Sequence, residues 1–246
     1  MTLSANKNPL RNLQTSLPRG IPIDIESARS VGVSSALAWH YLQSGWLLRL
    51  ERGVFMFPND ELQRDPCLKF LAKRIPGLHV GGKTALAWRG FRQNLSLREH
   101  MVVWGDLRRS LPNWFTSRFP CRYVSKNLFS KDLPPGFGLQ SLPEIPDGPL
   151  VSVPERALLE MLSEVGVKQG VEETRSIMES VRSLRLEVLA TLLEHCPRVK
   201  VHRLCIQWAE ELNLDWATPT RKSCKLGQGR WSTRLKDGTT LTLKPQ

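Results

Sequence analysis

The sequence predicts an α+β protein in two parts: a small helix–hairpin module at the N-terminus and a larger mixed α/β domain with a helical core and short sheets. Three observations lead to this fold class. First, residues 24–57 contain helix-start signals and glycine turns and end in two apolar runs. Second, residues 100–104 have the pattern of a strand. Third, amphipathic helical patterns follow residue 152. The 246 residues also exceed the commonest single-domain length, which favours two domains.

The N-terminal residues predict three helices before the hairpin. A short first helix is expected over residues 5–17, and the Pro-Arg-Gly sequence that follows breaks it. Asp24 is a suitable N-cap for a helix that runs to about Ser30, because its carboxylate can accept from the free backbone N–H groups of the first turn.

The third helix follows directly after a tight turn. Gly32 makes the turn, Ser34 is the expected N-cap, and the helix runs from Ser35 to about Ser44. Gly45 closes it, since glycine readily adopts the left-handed conformation beyond a helix end.

Two apolar runs around a glycine turn predict a hairpin. The runs are Trp46–Leu50 and Val54–Phe57, joined by Glu51-Arg52-Gly53. Helix, turn, helix and hairpin is the order of a winged helix-turn-helix, so we assign it to residues 1–58 and a second domain to residues 60–246.

The second domain reads as mixed α/β, with helices dominating its C-terminal half. Residues 106–150 are rich in Pro and Gly and predict short strands and loops, and Ser152 with Glu155 matches a capping box ahead of a helix. The tail is expected to form a hairpin over about 224–244, turning at Asp237-Gly238. Apolar spacing predicts the remaining helices at about 68–75, 84–89, 171–183, 186–195 and 200–213.

Composition and charge narrow the class of protein. Hydrophobic residues make up 41% of the chain, which excludes wholesale disorder, and no apolar segment is long enough to cross a bilayer. The N-terminus lacks the apolar core of a signal peptide, and five cysteines without a C-x-x-C pair fit a reducing compartment. We therefore expect a soluble, cytoplasmic protein with no membrane partner.

The net charge of +12 favours a polyanionic partner such as nucleic acid. The charge is unevenly spread along the chain. Residues 1–58 carry 6 basic and 3 acidic side chains, whereas residues 195–246 carry 10 and 4. A nucleic-acid footprint therefore need not be confined to the N-terminal module.

A winged helix-turn-helix predicts which side chains would meet DNA. The second helix of the helix-turn-helix pair, from Ser35 to about Ser44, is expected to enter the major groove. Val33, Leu37 and Tyr41 would face the core rather than the DNA. Arg49 and Arg52 flank the turn of the wing and can reach phosphates or the minor groove. The alternative is a protein-interaction module of the same shape. The helix residues expected to meet base edges are Ser34, Ser35, Ala38, Trp39 and Gln43.

Five segments spread over most of the chain resemble one known family. They are Ser44-Gly45-Trp46-Leu47, Arg52-Gly53-Val54-Phe55, Val80-Gly81-Gly82-Lys83-Thr84-Ala85-Leu86, Pro154-Glu155-Arg156-Ala157-Leu158-Leu159-Glu160 and Val199-Lys200-Val201-His202-Arg203-Leu204. The chain resembles the AbiEi family, the antitoxins of bacterial AbiE toxin–antitoxin and phage-defence systems. The resemblance implies a winged helix that represses its own operon at inverted repeats in the double-stranded DNA of the promoter. It also implies a C-terminal domain that neutralises a nucleotidyltransferase-like toxin.

Residues 77–84 match the phosphate-binding pattern G-x-x-x-x-G-K-[ST] letter for letter. In such a loop Lys83 would reach phosphates and Thr84 would bind magnesium. The context argues against it, because the segment follows a helical pattern ended by Pro76 rather than a buried strand. A helix start packed on the core is the preferred interpretation, so no cofactor is expected.

Two other sets of residues were considered as sites. His195, Cys196, His202 and Cys205 fit no standard zinc spacing, and no metal or catalytic residue is expected. The C-terminal basic series is either a solvated face or a surface for phosphates or an acidic partner. That series comprises Lys200, Arg203, Arg221, Lys222, Lys225, Arg230, Arg234 and Lys236.

The preferred function is an autorepressing antitoxin without enzymatic activity. Two alternatives stay open from the sequence: a stand-alone winged-helix transcriptional regulator without a toxin, and a P-loop NTP-binding regulator.

Overall fold

The structure is a computed structural model that describes residues 8–91, 100–234, 238 and 240–243. The start of the first expected helix, residues 5–7, lies outside the described residues, as do Lys236 and Asp237 of the tail. Contacts divide the chain into two compact units. The first unit runs to Arg74 and includes Ser110–Pro120, and the second comprises Ile75–Arg109 and the chain from Cys121 onward.

The first unit combines helices with a small sheet. Its elements are α1 (Pro9–Ser16), β1 (Ile23–Asp24), α2 (Ile25–Ser30), α3 (Ser35–Gln43), β2 (Leu48–Glu51), β3 (Val54–Met56), α4 (Arg64–Ala72) and, from the later segment, α6 (Asn113–Thr116). The hairpin β2–β3 is confirmed, and β1 adds a third strand on the other side of β3, so that the order is β1-β3-β2. Strand β1 was not predicted, because two residues are too few to show an alternating pattern.

One apolar core holds the helices of the first unit to its sheet. Every member of this core is at least nine-tenths buried. The core consists of Leu13, Ile23, Ala28, Val33, Ala38, Tyr41, Leu47, Phe55 and Phe57.

The first unit continues past Pro58, where the sequence analysis placed the end of the N-terminal domain. Asp60 accepts a hydrogen bond from the backbone N–H of Gly20 at 2.8 Å, and the Phe70 and Trp114 rings pack edge to face at 6.2 Å. The shortest fragment that folds alone therefore stays a prediction.

The second unit surrounds a five-stranded mixed sheet with helices. Its elements before the tail are β4 (His79–Val80), α5 (Gly82–Trp88), β5 (Met101–Trp104), β6 (Cys121–Val124), β7 (Leu139–Gln140), β8 (Val151–Ser152), α7 (Pro154–Glu164), α8 (Val171–Ser180), α9 (Leu186–Glu194), α10 (Val199–Glu211) and α11 (Ala217–Thr220). The strand order is β6-β5-β4-β8-β7, with β4–β8 and β5–β6 parallel. The strand expected at His100–Trp104 is confirmed as β5, in the sheet interior.

A single-turn 3-10 helix (Arg221–Ser223) and an antiparallel hairpin of β9 (Trp231–Arg234) and β10 (Thr240–Leu243) complete the second unit. The expected tail hairpin is therefore confirmed. Gly238 lies between its strands with φ at 86°, a conformation that favours glycine.

The capping box predicted for Ser152 and Glu155 is wrong. The helix begins at Pro154 with Val153 as its N-cap, and no side chain caps it. Ser152 instead donates to the buried Glu160 carboxylate at 2.8 Å, and Glu155 forms an ion pair with Arg185 at 2.8 Å. A two-residue strand precedes the helix, so the S-x-x-E spacing spans the strand end rather than a helix start.

Candidate nucleic-acid interface

Caps and glycine turns set the relative positions of α2 and α3. The Asp24 carboxylate accepts from the N–H of Ser27 at 2.8 Å, and the Ser34 hydroxyl accepts from the N–H of Leu37 at 3.2 Å. Both caps were predicted. Gly32 and Gly45 have φ at 89° and 75°, so each chain reversal uses a conformation that side-chain-bearing residues rarely adopt.

One face of α3 points away from the core and carries its exposed side chains. At about 100° per residue, this face spans an arc of roughly 140° opposite the core. Trp39 lies near its centre, with 61% of its surface exposed. The exposed residues are Ser35, Ala36, Trp39, His40 and Gln43.

The prediction that Ala38 is exposed to DNA is wrong, because Ala38 is fully buried in the core beside Val33 and Tyr41. Ala36 and His40 are also exposed, although neither was predicted to be. The helical period alone was sufficient only for Ala36, which lies about 120° from the direction midway between Leu37 and Tyr41. Ala38 and His40 both lie about 80° from that direction, on opposite sides, so only the structure decides which of the two is buried.

The two serines at the start of α3 already accept hydrogen bonds. Ser34 caps the helix, and Ser35 accepts from the Arg29 guanidinium at 3.0 Å. Each hydroxyl keeps its own proton to donate, so both side chains suit a phosphate oxygen or a base acceptor at the groove edge.

The hairpin places two arginines in solvent. Arg49 and Arg52 are exposed, and no side-chain hydrogen bond or ion pair ties either of them to another described residue. Their neighbour Glu51 is different, because it pairs with Arg74 at 3.2 Å. The acidic side chain of the turn is thus neutralised, while the two guanidinium groups stay available.

Two members of the C-terminal basic series, the half-buried Lys200 and the buried Arg203, use their charged groups on backbone carbonyls of the protein. The Lys200 ammonium donates to the carbonyls of Ser163 and Val165 at 3.0 and 2.6 Å. Burial lowers the pKa of Lys200 to about 8, against attraction from Glu164. Arg203 is only 3% exposed, so the surface role expected for Lys200 and Arg203 is corrected to a structural one.

The remaining members of the series that the structure describes are exposed. Arg221 pairs with Glu210 at 2.5 Å, and Lys225 donates to the carbonyl of Glu194 at 2.7 Å. These contacts involve only part of the positive charge of the series, so the surface remains cationic. Its exposed members are Arg221, Lys222, Lys225, Arg230 and Arg234, which we call the basic tail surface.

The segment Gly77–Thr84 is built differently from a phosphate-binding loop. Its strand β4 lies inside the motif rather than before it, and α5 has only seven residues. The N–H of Gly82 donates to Glu160 at 3.0 Å, and the Thr84 hydroxyl accepts from the N–H of Val102 at 2.9 Å. Lys83 pairs with Glu173 at 2.6 Å. The groups that would hold phosphate are thus bonded within the protein.

The His and Cys residues of the possible zinc set have structural roles. His202 uses one ring nitrogen on the carbonyl of Cys196, at 2.7 Å, and the other on the N–H of Lys225, at 3.0 Å. Cys205 is fully buried, and burial raises the pKa of its thiol well above the usual value. Among residues 8–91 and 100–243 as described, no three His, Cys, Asp or Glu side chains are grouped to hold a metal ion.

Comparison with known proteins now decides the family. The family described as "Transcriptional regulator, AbiEi antitoxin, Type IV TA system" matches residues 98–242, and its N-terminal domain family matches residues 6–97. The chain belongs to the AbiEi antitoxin family. The resemblance found in the sequence is therefore confirmed.

The fold of this AbiEi antitoxin is also found in a solved structure. The chain is similar to the structure titled "Crystal structure of RV2827C protein from Mycobacterium tuberculosis", with a TM-score of 0.57 and 15% identity over 95% of this chain and 89% of that one. At this identity the likeness concerns the fold alone. No curated protein matches the chain. None of the helices that the structure describes has the length and apolar content for a membrane span.

Proposed function

We propose that this AbiEi antitoxin binds the promoter of its own operon through a winged helix-turn-helix, in which α3 enters the major groove and β2–β3 form the wing. The observation that carries the proposal is the outward face of α3 beside two exposed arginines of the hairpin. The turn at Gly32 and the three-stranded sheet support it, since this order of elements is typical of the motif.

The wing supplies affinity and the helix supplies sequence preference. Arg49 and Arg52 would contact phosphates, which position the protein without reading bases. Their partner-free state lowers the cost of binding, because no ion pair in the described part of the chain has to break first. Two copies would bind an inverted repeat, with one α3 in each half-site.

The second activity is neutralisation of a nucleotidyltransferase-like toxin, without catalysis by the antitoxin. The description of the family as an antitoxin of a type IV system supports neutralisation. We assign this activity to the basic tail surface, because its exposed charges belong to the second unit and the wing to the first.

A mobility-shift titration of the promoter fragment with the full chain tests DNA binding. Log affinity should fall linearly with log salt, with a slope set by roughly 4–8 phosphate contacts. The double variant Arg49→Ala, Arg52→Ala should bind all duplexes more weakly by a similar factor and show a smaller slope. The absence of a shift at low salt, or binding that ignores salt, would overturn the assignment.

Co-expression with the neighbouring toxin gene tests neutralisation. The full chain should restore growth of cells that express the toxin. An encoded neighbour without any nucleotidyltransferase likeness, together with no rescue, would leave a stand-alone regulator as the better description.

A further inference from the structure

The outward face of α3 has an unusual chemistry for a DNA-reading helix. The nine residues from Ser35 to Gln43 include no Arg, Lys, Asp or Glu. Guanine is most often read by a bidentate Arg or Lys, and cytosine by an Asp or Glu that accepts from its amino group. The helix therefore lacks the side chains that distinguish G·C pairs.

The side chains that are present suit A·T pairs. The Gln43 amide is exposed, and a glutamine amide matches the N6 and N7 atoms of adenine. Ala36 and Trp39 present apolar surface on the same face, and apolar groups contact the C5-methyl of thymine. His40 can donate to N7, which adenine and guanine share, so it does not discriminate between purines.

Position on the helix strengthens this inference. Trp39 and Gln43 are four residues apart, so they are neighbours near the middle of the exposed face. A tryptophan that leaves 61% of its surface in water gains free energy when a partner covers it. The serines, which already accept hydrogen bonds, lie at the helix start, where phosphates are reached first.

We propose that α3 reads A·T pairs, with Gln43 bonded to the major-groove edge of an adenine and Trp39 and Ala36 packed on thymine methyl groups. The proposal rests on the DNA binding proposed above, and it specifies which base pairs the bound DNA contains. The wing arginines contribute affinity alone, so the preference for A·T resides in a helix without charge.

Selection from a random-sequence duplex pool with the full chain tests the proposal. The enriched half-sites should contain A·T pairs at the positions that α3 covers. In a selected duplex, deoxyuridine in place of thymidine removes only the methyl group and should weaken binding about 4-fold per contacted methyl. Substitution of 7-deazaadenine at the Gln43 contact should weaken it by about 5- to 150-fold.

Two variants and a control assign the contacts. Gln43→Ala should abolish the effect of 7-deazaadenine, and Trp39→Ala should abolish the effect of deoxyuridine at its position. Both residues are exposed, so the variants should have the same melting temperature as the parent chain. Ser16→Ala, an exposed change on α1, should keep both base preferences.

These experiments distinguish failure of the A·T readout from failure of the proposed DNA binding. If the promoter shifts but the selected sites carry G·C pairs under α3, or if neither modified base weakens binding, A·T readout is wrong and DNA binding stands. If no duplex shifts even at low salt, the proposed DNA binding fails and the readout fails with it.

Discussion

The carboxylate of Glu160 is 1% exposed and is surrounded by hydrogen-bond donors. His79 and Arg156 contact it at 2.9 Å each, and Gly82 and Ser152 donate to it at 3.0 and 2.8 Å. An enclosed charge of this kind is tolerated only because its partners replace the lost water. The arrangement joins β4, β8 and the start of α5 to α7.

We predict that Glu160→Gln destabilises the protein by about 3–5 kcal/mol, because it removes the carboxylate from a buried ion pair and leaves the Arg156 guanidinium without its charged partner. Glu173→Gln is the matched control, since that side chain is 41% exposed and should change stability by less than about 1 kcal/mol. Urea unfolding of both variants measures the difference. Equal midpoints would contradict the structural role of Glu160.

Acid should destabilise the protein through the same group. Burial alone would raise the pKa of Glu160, but His79, Arg156 and the N–H of Gly82 lower it to about 2. A lowered pKa in the folded state stabilises the fold above the ordinary pKa of 4.5, and this stability disappears as pH falls toward 2. As the pH is lowered from 5 to about 2, the melting temperature should fall more steeply for the parent protein than for Glu160→Gln.

At the scale of elements, the tail hairpin is attached to α10 by a buried arginine. Arg203 donates to the carbonyls of Leu226, Gly227 and Leu243 at 2.5, 3.2 and 3.4 Å. A guanidinium offers five donors in a fixed fork, so one side chain can bind both ends of the segment. The bonds explain why a basic residue of the series faces the interior.

Arg203→Ala should release the tail without unfolding the rest of the second unit, because it breaks three bonds that end in this segment. Hydrogen exchange should become faster in β9 and β10 and stay unchanged in α7. Arg221→Ala is the control, since Arg221 is exposed and pairs with Glu210 on the surface. Unchanged exchange in the tail of Arg203→Ala would show that other contacts hold it.

The segment Gly77–Thr84 provides a second prediction at this scale. Because Gly82, Lys83 and Thr84 bond to protein groups, magnesium-ATP at millimolar concentration should not raise the melting temperature. A true site at 100-fold over its dissociation constant would add about 2.7 kcal/mol. Lys83→Ala should keep repression and neutralisation. An ATP-dependent rise in melting temperature that Lys83→Ala abolishes would restore the P-loop interpretation.

At the scale of the whole molecule, two compact units carry the two proposed activities. The wing belongs to the first unit and the basic tail surface to the second. Because the first unit includes Ser110–Pro120 as well as the chain up to Arg74, a cut near Pro58 divides one compact unit. Point variants in the full chain therefore test the division better than fragments.

We predict that the activities separate by charge. The full chain with Arg49→Ala and Arg52→Ala should lose repression of the promoter and still protect cells from the toxin, since the wing is not part of the surface proposed for neutralisation. Reversal of Lys222, Arg230 and Arg234 to Glu should abolish protection from the toxin and leave repression of the promoter intact. A promoter reporter and a growth assay measure the two effects. If the reversed surface leaves both readouts unchanged, it is only a solvated face.

The sequence alone determined the features that depend on neighbouring residues. The caps at Asp24 and Ser34, the glycine turns, the N-terminal hairpin and the strand at Met101–Trp104 follow from local propensity and periodicity, and the motifs spread along the chain sufficed for the family.

Only the tertiary structure decided what each polar or small side chain touches. Ala38 is interior because its face of α3 joins the apolar core of the first unit, Ser152 bonds to Glu160 instead of capping a helix, and Lys200 and Arg203 bind carbonyls of distant segments. These pairings join residues far apart in sequence, and no local pattern encodes them. Burial gives them their strength, because the same charges in water would gain little from pairing.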